Sequence, residues 1–300
     1  MTPRVSVVIP LYGEFRWLRA ALKSLLEDGF SDWEAVLIDD GSPASPEPHL
    51  RDFLADPRFR SFRKPHSGIA GARNEGARES RGEWIAFLDQ DDITLPGRFG
   101  RQLASAETVP EPGKVAVVYS DYERIDEQGV LIDRYVSREV PAEGLPGAIL
   151  GDRGPVALGT ALIRREWLER AGGFDARIPG FDEGDLFLRI AREGGVFLYA
   201  PGVVHRWRNH PGNTMKTLAF EKARMAYVEK VRAMAKTDAR IAAAFRAFES
   251  RSLYARGLHH AERGQWREAA AFCWRAWRLD PLRLGALYLA LKSAVKRTAS

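Results

Sequence analysis

Asp89, Asp91 and Asp92 close an apolar run, Trp84-Ile85-Ala86-Phe87-Leu88. A buried strand that ends this way delivers three carboxylates to one edge of a sheet. Like charges at that spacing repel, and burying them is costly without a compensating cation. Oxygen-only donors suit a hard divalent ion such as Mg²⁺ or Mn²⁺, which commonly completes its shell with water and phosphate oxygens. An acidic triplet alone is equally consistent with a strand running into a solvated loop, so the weight falls on what else reaches that edge. Asp39-Asp40-Gly41-Ser42 follows a second apolar run, and Pro10-Leu11-Tyr12 ends a third.

The elements that would position these residues are legible from periodicity. Apolar runs at 5–10, 34–38, 84–88 and 115–119 read as buried strands, and 59–63 as an edge strand. Amphipathic stretches between them read as helices: 16–26 with Leu18, Ala21, Leu22 and Leu25 on one face, then 49–55, 70–80, and one from 96 that fades near 109. Strands alternating with helices predict a mostly parallel sheet covered on both faces. Ligands of such sheets bind beyond the carboxyl ends of the strands, where all three motifs would sit.

From 121 to 212 the pattern is less regular. Segments 122–126 and 130–134 flank Glu127-Gln128-Gly129 as a hairpin. A small-residue strand at 157–163, a helix at 166–171, a Gly172-Gly173 stop, a helix at 183–192 and strands at 196–200 and 203–208 follow. From Thr214 the chain reads as helical, with Ala269, Ala270, Phe272, Cys273, Ala276 and Trp277 forming one apolar stripe. A boundary is expected near 212–216.

The 300 residues suffice for one large domain or two smaller ones. A single cysteine, Cys273, excludes an internal disulfide and a cysteine-based metal centre. The N-terminus lacks a signal-peptide plan and no apolar run is long enough to span a membrane, so a cytoplasmic protein is expected. Net charge is +5, with Arg and Lys crowded into the last third. Such a tail is a set of solvated helix faces or a basic surface for anionic lipid headgroups; a nucleic-acid partner is not expected.

Residues 4–215 resemble the family-2 glycosyltransferases, whose fold is GT-A: α/β, a mixed sheet flanked by helices. The resemblance is carried, in order, by residues 5–12, Ile38-Asp39-Asp40-Gly41-Ser42, Gly71-Ala72-Arg73-Asn74-Glu75-Gly76 and the D-x-D pattern in Phe87-Leu88-Asp89-Gln90-Asp91-Asp92. Later matches are Gly172-Gly173-Phe174-Asp175, Asp182-Glu183-Gly184-Asp185-Leu186 and Arg206-Trp207-Arg208-Asn209-His210. It implies a transferase domain at 1–213, with a nucleotide-sugar half (1–120) and an acceptor half (121–213). A helical appendage occupies 214–300.

The resemblance also implies roles. Pro10, Tyr12, Glu14, Asp39, Asp40, Arg73 and Asp89 would bind the nucleotide-diphospho-sugar, a UDP-sugar by default. Tyr12 would stack on the base, and Asp39 and Asp40 would accept hydrogen bonds from base and ribose. Arg73 would pair with the diphosphate or hold the acidic loops together. Asp91 would be the direct ligand of Mn²⁺ or Mg²⁺, with Asp89 nearer the ribose and Asp92 and His210 completing the set. The reaction would be an inverting transfer to a hydroxyl of a glycan or lipid-linked acceptor, in cell-surface polysaccharide synthesis. Its base would come from Asp182-Glu183: position favours Glu183, residue type favours Asp182. A carboxylate in a first helical turn is expected to be held in its charged form. Asp185 and Arg189 should pair one turn apart, and Gly159-Thr160-Ala161 offers close approach to an acceptor sugar.

In the tail, Gly257, Gly264, Trp266, Ala269, Ala276 and Pro281 resemble one tetratricopeptide repeat, at about 250–281. Such a helix pair stacks on neighbours, so packing on the catalytic domain or on another subunit is expected there; the alternative is peripheral membrane contact through its basic, Trp-bearing face. A nucleotidyltransferase would want a Gly-rich basic loop after the first strand, and Pro10-Leu11-Tyr12-Gly13-Glu14 does not supply one. A dinucleotide-binding oxidoreductase fails on glycine spacing. The non-enzyme alternative is a scaffold built on a decayed transferase domain.

Overall fold

The structure is a computed structural model that describes residues 2–151, 154–212 and 218–298. Its elements, in chain order, are β1 (Val5–Leu11), α1 (Leu18–Leu26), β2 (Trp33–Asp39), α2 (Glu47–Leu50), β3 (Phe59–Arg63), α3 (Ile69–Glu79), β4 (Trp84–Phe87), β5 (Ile93–Thr94), α4 (Arg98–Glu107), β6 (Val115–Ile125) and β7 (Leu131–Tyr135). They continue with α5 (Leu145–Ile149), β8 (Leu162–Arg164), α6 (Arg165–Arg170), α7 (Asp182–Arg192), β9 (Val196–Arg208), α8 (Leu218–Ala235), α9 (Ala239–Glu262), α10 (Trp266–Leu279) and α11 (Leu284–Thr298). The described residues fall into two compact units, 2–145 with 154–212, and 146–151 with 218–298. Apart from Gly212, the boundary expected at 212–216 lies outside the described residues, as does the helical start expected at Thr214.

The first unit is a mixed sheet in the order β3-β2-β1-β4-β8-β6-β9-β5, with β7 on β6. Strands β3, β2, β1 and β4 are mutually parallel, so their carboxyl ends share one edge. One face of β1, formed by Val5, Val7, Ile9 and Leu11, packs with Leu18, Leu22 and Leu25 of α1 and Phe99 and Leu103 of α4. On the other face α3 lies so close that a Cβ on Gly76 would strike Val8 and Ile38. The glycine in the Gly71–Gly76 motif is thus set by packing, and it brings Arg73 down onto the sheet edge.

Several elements differ from the periodicity. The expected strands 115–119 and 122–126 are one strand, β6, and 196–200 and 203–208 are one, β9, because the two run parallel to each other along their length. Ser120-Asp121 and Pro201-Gly202, which read as breaks, sit at register shifts. There Asp121 accepts hydrogen bonds from Ser137 N (2.8 Å), Tyr199 Oη (2.7 Å) and Gly202 N (3.0 Å), which satisfies the buried carboxylate. The strand expected at 157–163 is a 3₁₀ turn, Leu158–Thr160, followed by the shorter β8. Side chains from α4 explain this: Gln102 donates to Thr160 O (2.7 Å) and Arg98 to Ala161 O (3.1 Å), in place of a strand neighbour. The helix expected at 49–55 is only α2 plus a 3₁₀ turn, Phe53–Ala55, since Leu50 alone buries.

The second unit is helical. Of the expected stripe, helix α10 buries Ala269, Cys273 and Ala276 between α9 and α11, while Ala270, Phe272 and Trp277 are half-buried; Trp274 is 45% exposed. Gly257 of α9 is where those helices touch, since a Cβ there would overlap Cys273 Sγ. Burial pushes the Cys273 thiol up to about 11, which makes it a packing residue rather than a nucleophile. Among the described residues no helix is long and apolar enough to cross a membrane.

Candidate functional site

The three strand ends do converge. Leu88 N donates to Val8 O and Asp40 N to Leu11 O, both at 3.0 Å, so the loops after β4, β1 and β2 leave the sheet side by side. Gln90 ties two of them together. Its Oε1 accepts from Tyr12 N (3.0 Å), and its Nε2 donates to Tyr12 O and Glu14 O (2.9 Å each). Glu14 is exposed and joins the rim through its carbonyl, whereas Pro10 is buried within β1. Tyr12 is half exposed and stacks on His66 with ring centroids 4.3 Å apart. That leaves an aromatic surface at the rim on which a planar group can rest.

Asp39 and Asp40 are both 2% exposed and are satisfied by the protein. Asp39 accepts from Ser42 N and Arg63 Nη1, both at 2.8 Å. Asp40 accepts from Ser67 N (2.9 Å), Gly68 N (2.8 Å) and Lys64 Nζ (3.0 Å). The family resemblance implies that these carboxylates also accept from a base and ribose. In the fold Asp40 faces the 64–68 loop and shapes the wall beside Tyr12.

The other acidic group is organised around Arg73, which is 3% exposed. Its Nη1 donates to Glu183 Oε1 (3.0 Å) and Asp182 Oδ2 (3.3 Å), and its Nη2 to Asp89 Oδ1 (3.2 Å). One guanidinium from α3 thus holds the β4 loop against the start of α7, which lies 110 residues further along the chain at Glu183. Asn74, one residue on, accepts from Phe174 N and donates to Phe174 O, both at 2.8 Å. This fixes the Gly-Gly-Phe turn ahead of α7.

The two candidate bases occupy different surroundings. Asp182 is 1% exposed, and its Oδ1 accepts from Gly180 N at 2.9 Å. The Glu183 side chain is 39% exposed. Both carboxyls are raised, contrary to the expectation from the helix terminus. Crowding by surrounding protein is the largest cause for each, and the Asp89 charge adds to it; for Glu183 the Asp182 charge adds too, against the opposing pull of Arg73. Glu183 is pushed up to about 7. The fraction of a charge at a helix N-terminus is outweighed by desolvation and like charges. Asp185 and Arg189 pair at 2.7 Å, as expected.

Beyond β4, Asp91 and Asp92 diverge. Asp91 is partly open, and its Oδ2 lies 2.8 Å from His210 Nε2. Burial raises its carboxyl, and the Asp89 charge raises it further. Asp92 points inward: Oδ1 accepts from Arg208 N (2.8 Å) and Oδ2 lies 2.9 Å from His205 Nε2. Burial pushes the His205 imidazole down to about 3, so it is neutral. Trp17 packs beside His210 with centroids 4.8 Å apart and donates through Nε1 to Glu127 O. Gly159-Thr160-Ala161 lies over His205, with Thr160 fully buried.

The family model for glycosyl transferase family 2 matches residues 6–172, which carry β1, β2 and the whole Asp89–Asp92 loop. The chain belongs to glycosyl transferase family 2. Among curated proteins similar to it, an uncharacterized glycosyltransferase of Rickettsia felis is 28% identical over 63% of this chain and 32% of its own length. WfgD of Escherichia coli, a UDP-Glc:alpha-D-GlcNAc-diphosphoundecaprenol beta-1,3-glucosyltransferase, is 27% identical over 42% of this chain and 49% of its own. The chain thus spans about a third of the first Rickettsia relative. Among solved structures, a fragment of S. aureus TarS in complex with UDP-GlcNAc superposes with a TM-score of 0.61 at 16% identity, over 97% of this chain and 89% of that one. The mannosyltransferase PcManGT of Pyrobaculum calidifontis, in complex with GDP-Man and Mn²⁺, gives 0.60 at 20% identity, over 99% and 83%. At these identities the likeness shows the fold, which is GT-A.

Family motifs located the acidic loops, but several residues that hold them were missed. Gln90, Asn74 and His66 lie in or near quoted motifs without a role having been given to them. Trp17 and His205 carried no signal: one reads as a helix-flank aromatic, the other as a strand residue. Among the described residues no three His, Cys, Asp or Glu side chains already form a metal-holding group.

Proposed function

We propose that this chain transfers a glycosyl group from a nucleoside-diphospho-sugar to an acceptor hydroxyl, in one inverting, metal-dependent displacement. One observation carries the reading: Arg73 gathers Asp89, Asp182 and Glu183 at a sheet edge where Asp91 also opens. The structural neighbours support the donor class, since TarS is seen with UDP-GlcNAc and PcManGT with GDP-Man. WfgD, named for a diphosphoundecaprenol-linked acceptor, supports a lipid-linked acceptor; a role in surface polysaccharide assembly is part of the same proposal.

The donor set suits a divalent ion. Asp89 and Asp91 present oxygens that are partly exposed and lie close enough for the Asp89 charge to act on Asp91, and burial has already stripped much of the water from Asp91. An ion that takes one or two carboxylates and fills its shell with phosphate oxygens matches a site with no ready-made cage. Asp91 would be the direct ligand, with Asp89 beside it and His210 fixing the Asp91 carboxylate. Asp92, satisfied by His205 and Arg208, anchors the loop from behind instead of binding the ion. Bound there, Mn²⁺ or Mg²⁺ would neutralise charge on the departing nucleoside diphosphate.

The remaining roles belong to the chain's own side chains. The nucleotide base rests on Tyr12 beside the wall built by Asp39 and Asp40. Glu183, on the open side of Arg73, takes the acceptor hydroxyl's proton as the hydroxyl oxygen bonds to the anomeric carbon. The bond from that carbon to the phosphate oxygen breaks on the opposite side. A group pushed up to about 7 is well matched to receive a proton near neutral pH. Asp182 orients Arg73 and the helix start. A non-catalytic scaffold would have no use for carboxylates held at such an electrostatic cost, which favours the enzyme.

The test is a screen of UDP- and GDP-sugars with Mn²⁺ by thermal shift, followed by product analysis with soluble acceptor glycans. Stabilisation that needs both metal and nucleotide, with transfer or slow hydrolysis of one donor, is expected. A screen without metal-dependent stabilisation by any nucleotide would overturn the reading.

A further inference from the structure

Helix α11 carries two apolar faces where a surface helix normally has one. Inward, Ala286, Leu289, Ala290 and Ser293 are 0–9% exposed against α9 and α10. Outward, Leu284, Tyr288 and Leu291 are 69%, 65% and 55% exposed. Their spacing of four and three residues makes one stripe along the helix, which Val295 extends at 69%, and Leu282 precedes it at 91%. Single exposed leucines are ordinary on a protein surface, but a contiguous stripe of large apolar side chains marks a surface that meets something.

The charge around the stripe selects the occupant. Lys292 and Lys296 flank it on one side and are exposed, Lys296 with its Nζ 4.4 Å from the centroid of the Trp266 ring. Lys292 Nζ lies 5.8 Å from the Tyr288 ring, so its stem runs alongside the stripe and its head stays in water. From residue 216 onward the sequence has eighteen Lys and Arg against seven Asp and Glu, whereas the preceding residues have twenty-seven against thirty-three. A two-fold contact between copies through this face would bring each lysine pair toward its own equivalent, inside a strongly positive unit. Nucleic acid would meet the cations, but its phosphates would then be pressed on Leu284 and Leu291. An anionic lipid interface satisfies both halves: acyl chains take the stripe, and headgroups take the lysines.

We propose that α11 docks this protein on anionic membranes, lying in the interface plane with Leu284, Tyr288 and Leu291 among the upper acyl chains and Lys292 and Lys296 at the headgroups. The proposal stands on the helical unit alone and does not depend on the transferase reading. It is tested with the full chain by co-sedimentation with vesicles of phosphatidylcholine, with and without phosphatidylglycerol. Binding is expected only with the anionic lipid, and it should weaken as salt is raised. The variant Leu284→Ser/Tyr288→Ser/Leu291→Ser should lose about tenfold or more of that binding, and Lys292→Glu/Lys296→Glu should lose a similar share. Every substituted side chain is exposed, so both variants should keep the parent's unfolding temperature; either one retaining it suffices for the test. Absence of binding to anionic vesicles, binding that neither variant weakens, or equal binding to neutral vesicles would overturn the proposal. So would a dimer in sedimentation velocity that the triple variant disperses without any vesicle binding by the parent, which would give the stripe to a second copy.

Discussion

Asp40, past the end of β2, has both oxygens occupied by Ser67, Gly68 and Lys64, whereas Asp91, past the end of β4, has His210 on one oxygen and the charge of Asp89 beside it. The two carboxylates leave the same sheet edge, and both loops are acidic in sequence. One is used up as structure. The other is left short of positive charge, together with Asp182 and Glu183, whose carboxyls are also raised. On the proposed function, compensation, more than the presence of acidic residues, separates a wall from a loop that can take a cation. A loop that has already found its donors has nothing to offer a cation, and one that repels itself does.

The sharpest way to break this contrast is Asp91→Ala. We expect transfer to fall by about a thousandfold or more, with the fold retained and the metal-dependent heat of nucleotide binding lost in calorimetry. Turnover within tenfold of the parent would place the metal elsewhere.

Glu183→Gln should lower kcat by about a hundredfold to ten-thousandfold, the usual span for a general base. The pH profile separates it from a structural loss. The base must be unprotonated, so with a carboxyl near 7 the parent's rate should fall as pH drops below that value, and Glu183→Gln should lack this limb. If Asp182→Asn removes the limb instead, the two residues exchange roles.

Asp40→Ala should behave in the opposite way to Asp91→Ala. It would leave Ser67 N, Gly68 N and Lys64 without their acceptor, at a cost of about 2–4 kcal/mol in urea unfolding. A loss as small as that of Asp91→Ala would erase the distinction between the loops.

The smallest effect is on stability against pH. Glu183 and Asp182 have higher values folded than unfolded, so between the ordinary glutamate value of 4.5 and about 7 the folded chain binds more protons than the unfolded one. Stability of the metal-free protein should therefore decline as pH rises through that window and level off above it. Added Mn²⁺ with nucleotide should raise the melting temperature by more at pH 7.5 than at pH 5, by about a few degrees, because protons compete less for the raised Asp91 carboxyl as pH rises. A metal effect of equal size at both pH values would argue against carboxylate ligation.

Much of the first sheet was readable because each buried strand is a local run of apolar residues that has to be covered on both faces: β1, β2 and β4 fall within a residue or two of the expected limits. The acidic ends of those runs were readable for the same reason. Strands β6 and β9 were read as fragments because Ser120-Asp121 and Pro201-Gly202 look like breaks until each is seen to sit opposite the other. The 3₁₀ turn at Leu158–Thr160 was read as a strand because its hydrogen-bond partners, Arg98 and Gln102, lie some sixty residues earlier.

By itself the sequence determined which residues could carry charge to the sheet edge, since strand periodicity and the residues following each run are local properties. It also determined the family, through motifs that keep their order and spacing along the chain. Only the tertiary structure decided which carboxylates are spent. Asp92 turns toward His205 and Arg208, Asp91 meets His210 from 119 residues away, and Asp182 and Glu183 separate into one buried and one open position. The reason is physical: a carboxylate's readiness to bind a cation or a proton depends on its solvation and neighbouring charges, and here those neighbours come from strands and helices distant in sequence.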